Sequence, residues 1–325
     1  MRFIIYGAGG IGCVIGGHLS RQGSDVILVG NTQHVDAINT HGLKLVTGNE
    51  TFALKIPAVK TANELAPFGE NDVVLLCAKS QHTVNCLGQL RNAAAPRSLP
   101  VFCAQNSILN ESVATRFFDP VYGVMIMIPA IFMTSGEVIN PIVRRFGVIE
   151  IGRYPQGVDE LCQAVAEPLR RAGFFVTVHP EVMRSKGAKC LNNLGNALMP
   201  SPMAKAIDAH MQQARRGDAG VERGRHCVEE SDSFQRRVRS EYGERKIPAG
   251  YRELEKHSSS WQSLARGTGN IEAEQLNGDV VMLGRRLGIA APYNELLWRI
   301  ADEMARNGDK PGKYSADELL RMVKQ

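Results

Sequence analysis

The feature that most restricts what this chain can fold into is a glycine-rich turn close to its N-terminus. Gly7-Ala8-Gly9-Gly10-Ile11-Gly12 follows the apolar stretch RFIIYG (2–7) and opens a stretch with helical spacing, GCVIGGHLSRQG (12–23). A second apolar stretch, DVILVG (25–30), comes next. Glycines at 7, 9 and 12 match G-x-G-x-x-G in the strand–turn–helix context that gives the pattern meaning. The first glycine permits the tight turn, the second lets backbone approach a pyrophosphate, and the third lets helix and strand pack closely. The start of the helix adds N–H groups and partial positive charge for an anion. Gly7, Ala8, Gly9, Gly10, Ile11 and Gly12 are therefore the expected dinucleotide cradle.

The rest of the chain extends this pattern. Further apolar runs, DVVLLCA (72–78), PVFCAQ (100–105) and VYGVMIMI (121–128), read as strands of a parallel sheet covered on both faces. FGVIEIG (146–152) and FFVTVH (174–179) flank a helix at 159–173. After His179 no strand is expected, and helical spacing runs through 181–197, 205–240, 271–287 and 292–306. At 325 residues the chain has room for about two domains. The expected fold is an α/β Rossmann-type N-terminal domain over 1–180 and an all-α C-terminal domain over 181–325. Pro180 marks the change.

The end of the second strand selects the nucleotide. An Asp or Glu there bonds the ribose 2′-hydroxyl of NAD. This chain carries Gly30-Asn31-Thr32-Gln33 instead, so no acid repels a 2′-phosphate. Asn31, Thr32 and His34 are possible donors to one. NADP(H) is favoured, with NAD(H) still open.

Composition narrows the class. A net charge of +5 is spread thinly, and the densest basic run, RRVRSEYGERK (236–246), also carries Glu241 and Glu244. A solvated helix face explains it better than a nucleic-acid surface. No apolar run reaches the roughly 20 residues of a membrane span, and glycines interrupt the first apolar stretch too early for a signal peptide. The seven cysteines, at 13, 77, 86, 103, 162, 190 and 227, show no C-x-x-C or metal-ligand spacing. These observations lead to an expectation of a cytoplasmic protein with no structural disulfide, no metal and no nucleic-acid or membrane partner.

Beyond the glycine turn, CAKSQHT (77–83), CAQNSILNE (103–111), KGAKCLNNLGNAL (186–198), SSSWQSLARGTGNIEAEQLNG (258–278) and GIAAPYNELL (288–297) occur in an order and spacing that resemble the ketopantoate reductases. The resemblance covers nearly the whole length. It implies NADPH-dependent reduction of a small 2-keto acid, 2-dehydropantoate, to pantoate, on the way to pantothenate and coenzyme A. It also agrees with a Rossmann domain followed by a helical domain, the latter a candidate for homodimer formation.

The resemblance carries over residue by residue. Hydride addition to a ketone builds charge on oxygen, and a protonated lysine can supply both cation and proton. Lys189, four residues before Asn193, matches the family's catalytic lysine, while Lys186 fits that spacing less well. Asn193 matches the substrate-binding asparagine. Where a second asparagine often follows, this chain has Ala197, and Asn196 stands one position before it. Glu272, with Glu274 as its neighbouring alternative, matches the glutamate that orients or supports the lysine. Ser260 matches the serine that bonds the substrate carboxylate. Lys79 and Asn106, each just after a strand, are implied cofactor contacts, and Asn106 also a substrate contact. Ser107 replaces a common glycine. Two other readings remain: a paralogue that reduces another branched 2-keto acid or ketone, favoured by Ala197 and Trp261, and a catalytically silent NADP-binding regulator.

Overall fold

A computed structural model of the chain describes residues 1–193, 231–248, 250–251, 262–264, 267, 271–310 and 312–323. They fall into two compact units. The first holds Met1–Gln105, Asn110–Lys186 and Gln235–Glu255, and the second Asn106–Leu109, Gly187–Phe234 and Lys256–Gln325.

Thirteen strands are present among the described residues: β1 (Arg2–Tyr6), β2 (Asp25–Val29), β3 (Leu43–Thr47), β4 (Thr51–Leu54), β5 (Ala58–Val59), β6 (Asp72–Leu76), β7 (Val101–Cys103), β8 (Val121–Met127), β9 (Glu137–Asn140), β10 (Ile142–Val143), β11 (Val148–Arg153), β12 (Phe175–Val178) and β13 (Glu244–Arg245). Eight form one sheet in the order β12-β11-β8-β7-β6-β1-β2-β5. β1 pairs in parallel with β2 on one side and β6 on the other, so the strand order reverses there. Tyr6 lies level with Val29 and Leu76, which brings three strand ends to one edge. Ligands of doubly wound sheets bind outside the carboxyl ends at such a reversal. Apolar clusters cover both faces. One joins Phe3, Ile5 and Leu28 to Val14 and Leu19 of α1 (Gly10–Arg21). The other joins Ile4, Val74 and Leu76 to Leu87 and Leu90 of α3 (Thr83–Asn92), which follows α2 (Thr32–His41) in the chain. Strands buried on both faces need the unbroken apolar runs the sequence shows.

Three features depart from the sequence reading. β11 runs antiparallel to β8 in an otherwise parallel sheet. The link between them, 128–147, carries two short strands and no helix, and antiparallel neighbours need no helical crossover. A second sheet, β4-β3-β9, stands beside the first. Finally, β13 pairs with β10 in the stretch expected to hold only helices. Two residues are too few to show a period.

The basic run at 236–246 lies on and after the helix Ser231–Glu241. Phe234 and Val238 are buried, while Arg237 pairs with the buried Glu150 of β11. α4 (Asn110–Ala114), α5 (Glu160–Arg171) and α6 (Val182–Asn193) complete the helices before that point. The second unit has its own core, in which Leu276, Leu296, Leu297, Ile300 and Met304 come together. Among the described residues no helix is long and apolar enough to cross a membrane.

Candidate active site

The glycine turn has the shape its sequence demands. Gly7 sits at φ +112°, and a Cβ there would lie 2.2 Å from the backbone nitrogen of Ala78, just past β6. A Cβ on Gly12 would lie 2.2 Å from the Gly7 carbonyl oxygen. Both positions are closed to any side chain. Gly9 is the opposite case, with no atom within 4 Å of where its Cβ would stand. This open face lies at the N-cap of α1, whose first N–H groups have no intrahelical acceptor. Close contact at Gly7 and Gly12 with open space at Gly9 fits a pyrophosphate lying against the backbone. Ala8 is buried against Gly30, and Ile11 packs against the core.

The segment after β2 behaves differently from the sequence reading in one respect. Asn31 is exposed and caps α2, its Oδ1 accepting from the His34 backbone N–H at 3.0 Å. Thr32 and Gln33 are also exposed. His34 is fully buried, so it is no phosphate donor. Its Nδ1 accepts from the Gly136 N–H at 2.8 Å, and its Nε2 lies 3.2 Å from Cys13 Sγ. Burial lowers its pKa to about 4, leaving the ring neutral.

Lys79 is half-buried and immediately precedes the 3₁₀ turn Ser80–His82. A buried network fixes that turn. Asn110 donates to Ser80 Oγ (3.0 Å), Thr83 donates to Asn110 Oδ1 (2.7 Å), and Gln105 donates to Thr83 Oγ1 (2.8 Å) and the Ala78 carbonyl (2.9 Å). The loops after β6 and β7 are thereby tied together.

Lys186 and Lys189 are both buried on α6, but only their surroundings separate them. Lys186 donates to the Cys103 carbonyl at 2.9 Å and pairs with Glu111, which has no measurable exposure. Burial raises the Glu111 pKa, and the Lys186 ammonium opposes that. This lysine is committed to an internal ion pair. Lys189 donates from Nζ to Asn106 Oδ1 at 2.6 Å. Two residues predicted far apart in sequence are thus joined by a short charge-assisted bond.

Asn193 ends α6 and is half-buried. Glu272 is half-buried at the head of a π turn, Glu274–Gly278, whereas Glu274 is exposed, so burial separates the two glutamates. Asn277 in that turn donates to Asn294 Oδ1 at 3.0 Å. Asn196, Ala197, Ser260 and Trp261 lie outside the described residues. Sequence reasoning missed Asp279, which directly follows the turn. It is 8% exposed and accepts from Ser107 Oγ at 2.6 Å. Burial pushes its carboxyl up to about 6, the Ser107 bond acts against this, and Glu274 adds to it. The only sequence signal was Ser107 itself, a hydroxyl where a glycine is common.

The family model described as ketopantoate reductase PanE/ApbA matches residues 3–156, and the model of its C-terminal part matches 218–305. The chain belongs to the ketopantoate reductase family. A 2-dehydropantoate 2-reductase of Pyrococcus abyssi is 28% identical over 308 residues, 92% of this chain and 96% of that protein. A crystal structure of a PanE/ApbA family ketopantoate reductase from Ralstonia eutropha has 26% identity and a TM-score of 0.74, and covers 95% of this chain and 99% of its own. A D-mandelate dehydrogenase solved with NADH and anilino(oxo)acetate has a TM-score of 0.77 at 20% identity, covering 95% of this chain and 99% of its own. That likeness speaks to the fold alone. Lys189, four residues before Asn193 in the chain, is the lysine that meets Asn106.

Proposed function

We propose that this chain reduces the ketone of 2-dehydropantoate to the alcohol of pantoate, with NADPH as reductant. The family assignment and the 2-dehydropantoate 2-reductases among its relatives support the reaction. The observation that carries the chemistry is the Lys189–Asn106 bond. An ammonium held by a carbonyl oxygen presents a cation and a proton donor in one group. When bound, the nicotinamide supplies the hydride.

The chain's own groups do the rest. The turn Gly7–Gly12 holds the pyrophosphate, with Asn31 and Lys79 toward the remainder of the nucleotide. Lys189 donates a proton to the substrate oxygen, and Asn106 orients the ammonium. Glu272 supports the lysine electrostatically. Asn193, Asn196 and Ser260 bind the substrate's hydroxyl and carboxylate. Preference for NADPH rests on the absence of an acid at Asn31, Thr32 and Gln33. In this reading residues 1–180 serve the cofactor and 181–325 the substrate. The free thiols of Cys13, Cys77, Cys86, Cys103 and Cys162 suit a reducing cytoplasm. Met282, Leu283 and Ile289, exposed apolar side chains of the second unit, support a homodimer.

The test is a steady-state assay of NADPH and NADH against 2-dehydropantoate and a panel of branched 2-keto acids. NADPH oxidation with 2-dehydropantoate as the best substrate is expected. Better kinetics with another keto acid would establish the paralogue reading that Ala197 favours, and tight NADPH binding without turnover would establish the regulatory one.

A further inference from the structure

Three residues of the loop 106–109 are anchored to other parts of the second unit. Asn106 accepts from Lys189. Ser107 Oγ donates to Asp279 and accepts from the Leu109 backbone N–H at 3.1 Å. Ile108 packs against the apolar cluster of Leu276 and Leu297. Ser107 is 1% exposed. Asp279 is in turn fixed from the core, because the π turn before it is tied to the helix Pro292–Asn307 through Asn277 and Asn294.

A carboxylate is an expensive way to hold a serine. Burial and the nearby Glu274 both disfavour its charge, and a neutral acceptor of the same size would hold the hydroxyl without that penalty. What the charge adds is a shorter and stronger bond. A firm hold matters at Ser107 because its oxygen shapes the turn through Leu109 and its backbone is the next link after Asn106.

We propose that Asp279 is a positioning residue for the Lys189–Asn106 pair. Its carboxylate fixes the Ser107 hydroxyl, and Ser107 holds the turn that presents the Asn106 carbonyl to the Lys189 ammonium. The proposal rests on Lys189 as the proton donor of the reaction above.

The experiment compares Asp279→Ala, Asp279→Asn, Ser107→Ala and the double variant Ser107→Ala/Asp279→Ala with the wild type, each checked for folding by circular dichroism. Misplacing a reacting group by a fraction of an ångström slows chemistry, so kcat is expected to fall about tenfold in either alanine variant while the cofactor KM stays within about twofold. Asp279→Asn keeps an acceptor and is expected to recover kcat to within about threefold of wild type. The double variant is expected to be no slower than the singles, because both act through one link. Folded alanine variants with wild-type kcat, or losses that multiply in the double variant, would overturn the proposal. A second readout needs no turnover. Lysines are ¹³C-methylated and the Lys189 resonance is assigned with Lys189→Arg. That resonance is expected to move in Asp279→Ala and Ser107→Ala and to stay near its wild-type position in Asp279→Asn. An unmoved resonance in both alanine variants overturns the proposal. If the wild type reduces no keto acid, the proposed reaction fails, and the resonance still decides whether Asp279 positions Lys189.

Discussion

Asp279→Asn should change how the stability of this protein depends on pH. In the folded chain burial pushes the carboxyl up to about 6, from an ordinary 3.8. Between those values the folded chain holds a proton that the unfolded chain has released, so stability falls as pH rises through the window. The gap is about two pH units, at about 1.4 kcal/mol each, which gives about 3 kcal/mol. This penalty is absent below pH 4 and complete above about pH 7. The amide of the variant carries no charge at any of these values and still accepts from Ser107. Urea unfolding of wild type and variant, followed by circular dichroism from pH 4 to 7.5, isolates the group, because all other titrations cancel in the difference. The variant is expected to gain on the wild type steadily through the window, by up to about 3 kcal/mol. A difference that stays flat would mean that Asp279 ionises as a solvated carboxylate does, and the case for its burial would collapse.

Other expectations follow from the same geometry. Gly9→Ala fills open space and should leave the melting temperature unchanged while raising the NADPH Kd, whereas Gly12→Ala meets the Gly7 carbonyl and should destabilise the fold by about 1–3 kcal/mol. Calorimetry together with cofactor titration separates the two. Lys186→Met strands a buried carboxylate and should cost about 3–5 kcal/mol in denaturant unfolding, with much of that recovered when Glu111→Gln is added. Lys189→Ala should fold normally and lower kcat by about 10²–10⁴, as expected for loss of a general acid. A wild-type rate in that variant would remove Lys189 from the chemistry.

The glycine turn and the strands around it were legible because their causes are local. Gly7, Gly9 and Gly12 act within one turn, and Phe3–Tyr6 and Val73–Leu76 are apolar because each strand is covered on both faces. The antiparallel turn of β11 was not legible, since pairing direction is set by how the chain returns and not by the strand's own residues. β4 alternates between exposed and half-buried positions over four residues, too short to declare itself. At the site, resemblance pointed to Lys189, but the ion pair that distinguishes Lys186 is made with Glu111, 75 positions away. Asp279 escaped notice because its partner Ser107 is 172 positions distant. His34 was misread for a related reason. Its place two residues after the exposed Thr32 looked accessible, yet helix periodicity turns it inward onto Cys13 and Gly136.

The cap of α2 bears on how cofactor choice could evolve. Asn31 accepts the His34 N–H through a side-chain oxygen, which aspartate would supply equally well. Aspartate would also suit the positive end of the helix. Yet at the end of β2 it would place the acid that bonds a ribose hydroxyl and repels a 2′-phosphate. Asparagine and aspartate codons differ by one base, and neither choice disturbs the helix. Under the proposed cofactor reading, a single transition at this codon would shift the choice between the phosphorylated and unphosphorylated nicotinamide pools, with selection acting on reductant supply and not on folding.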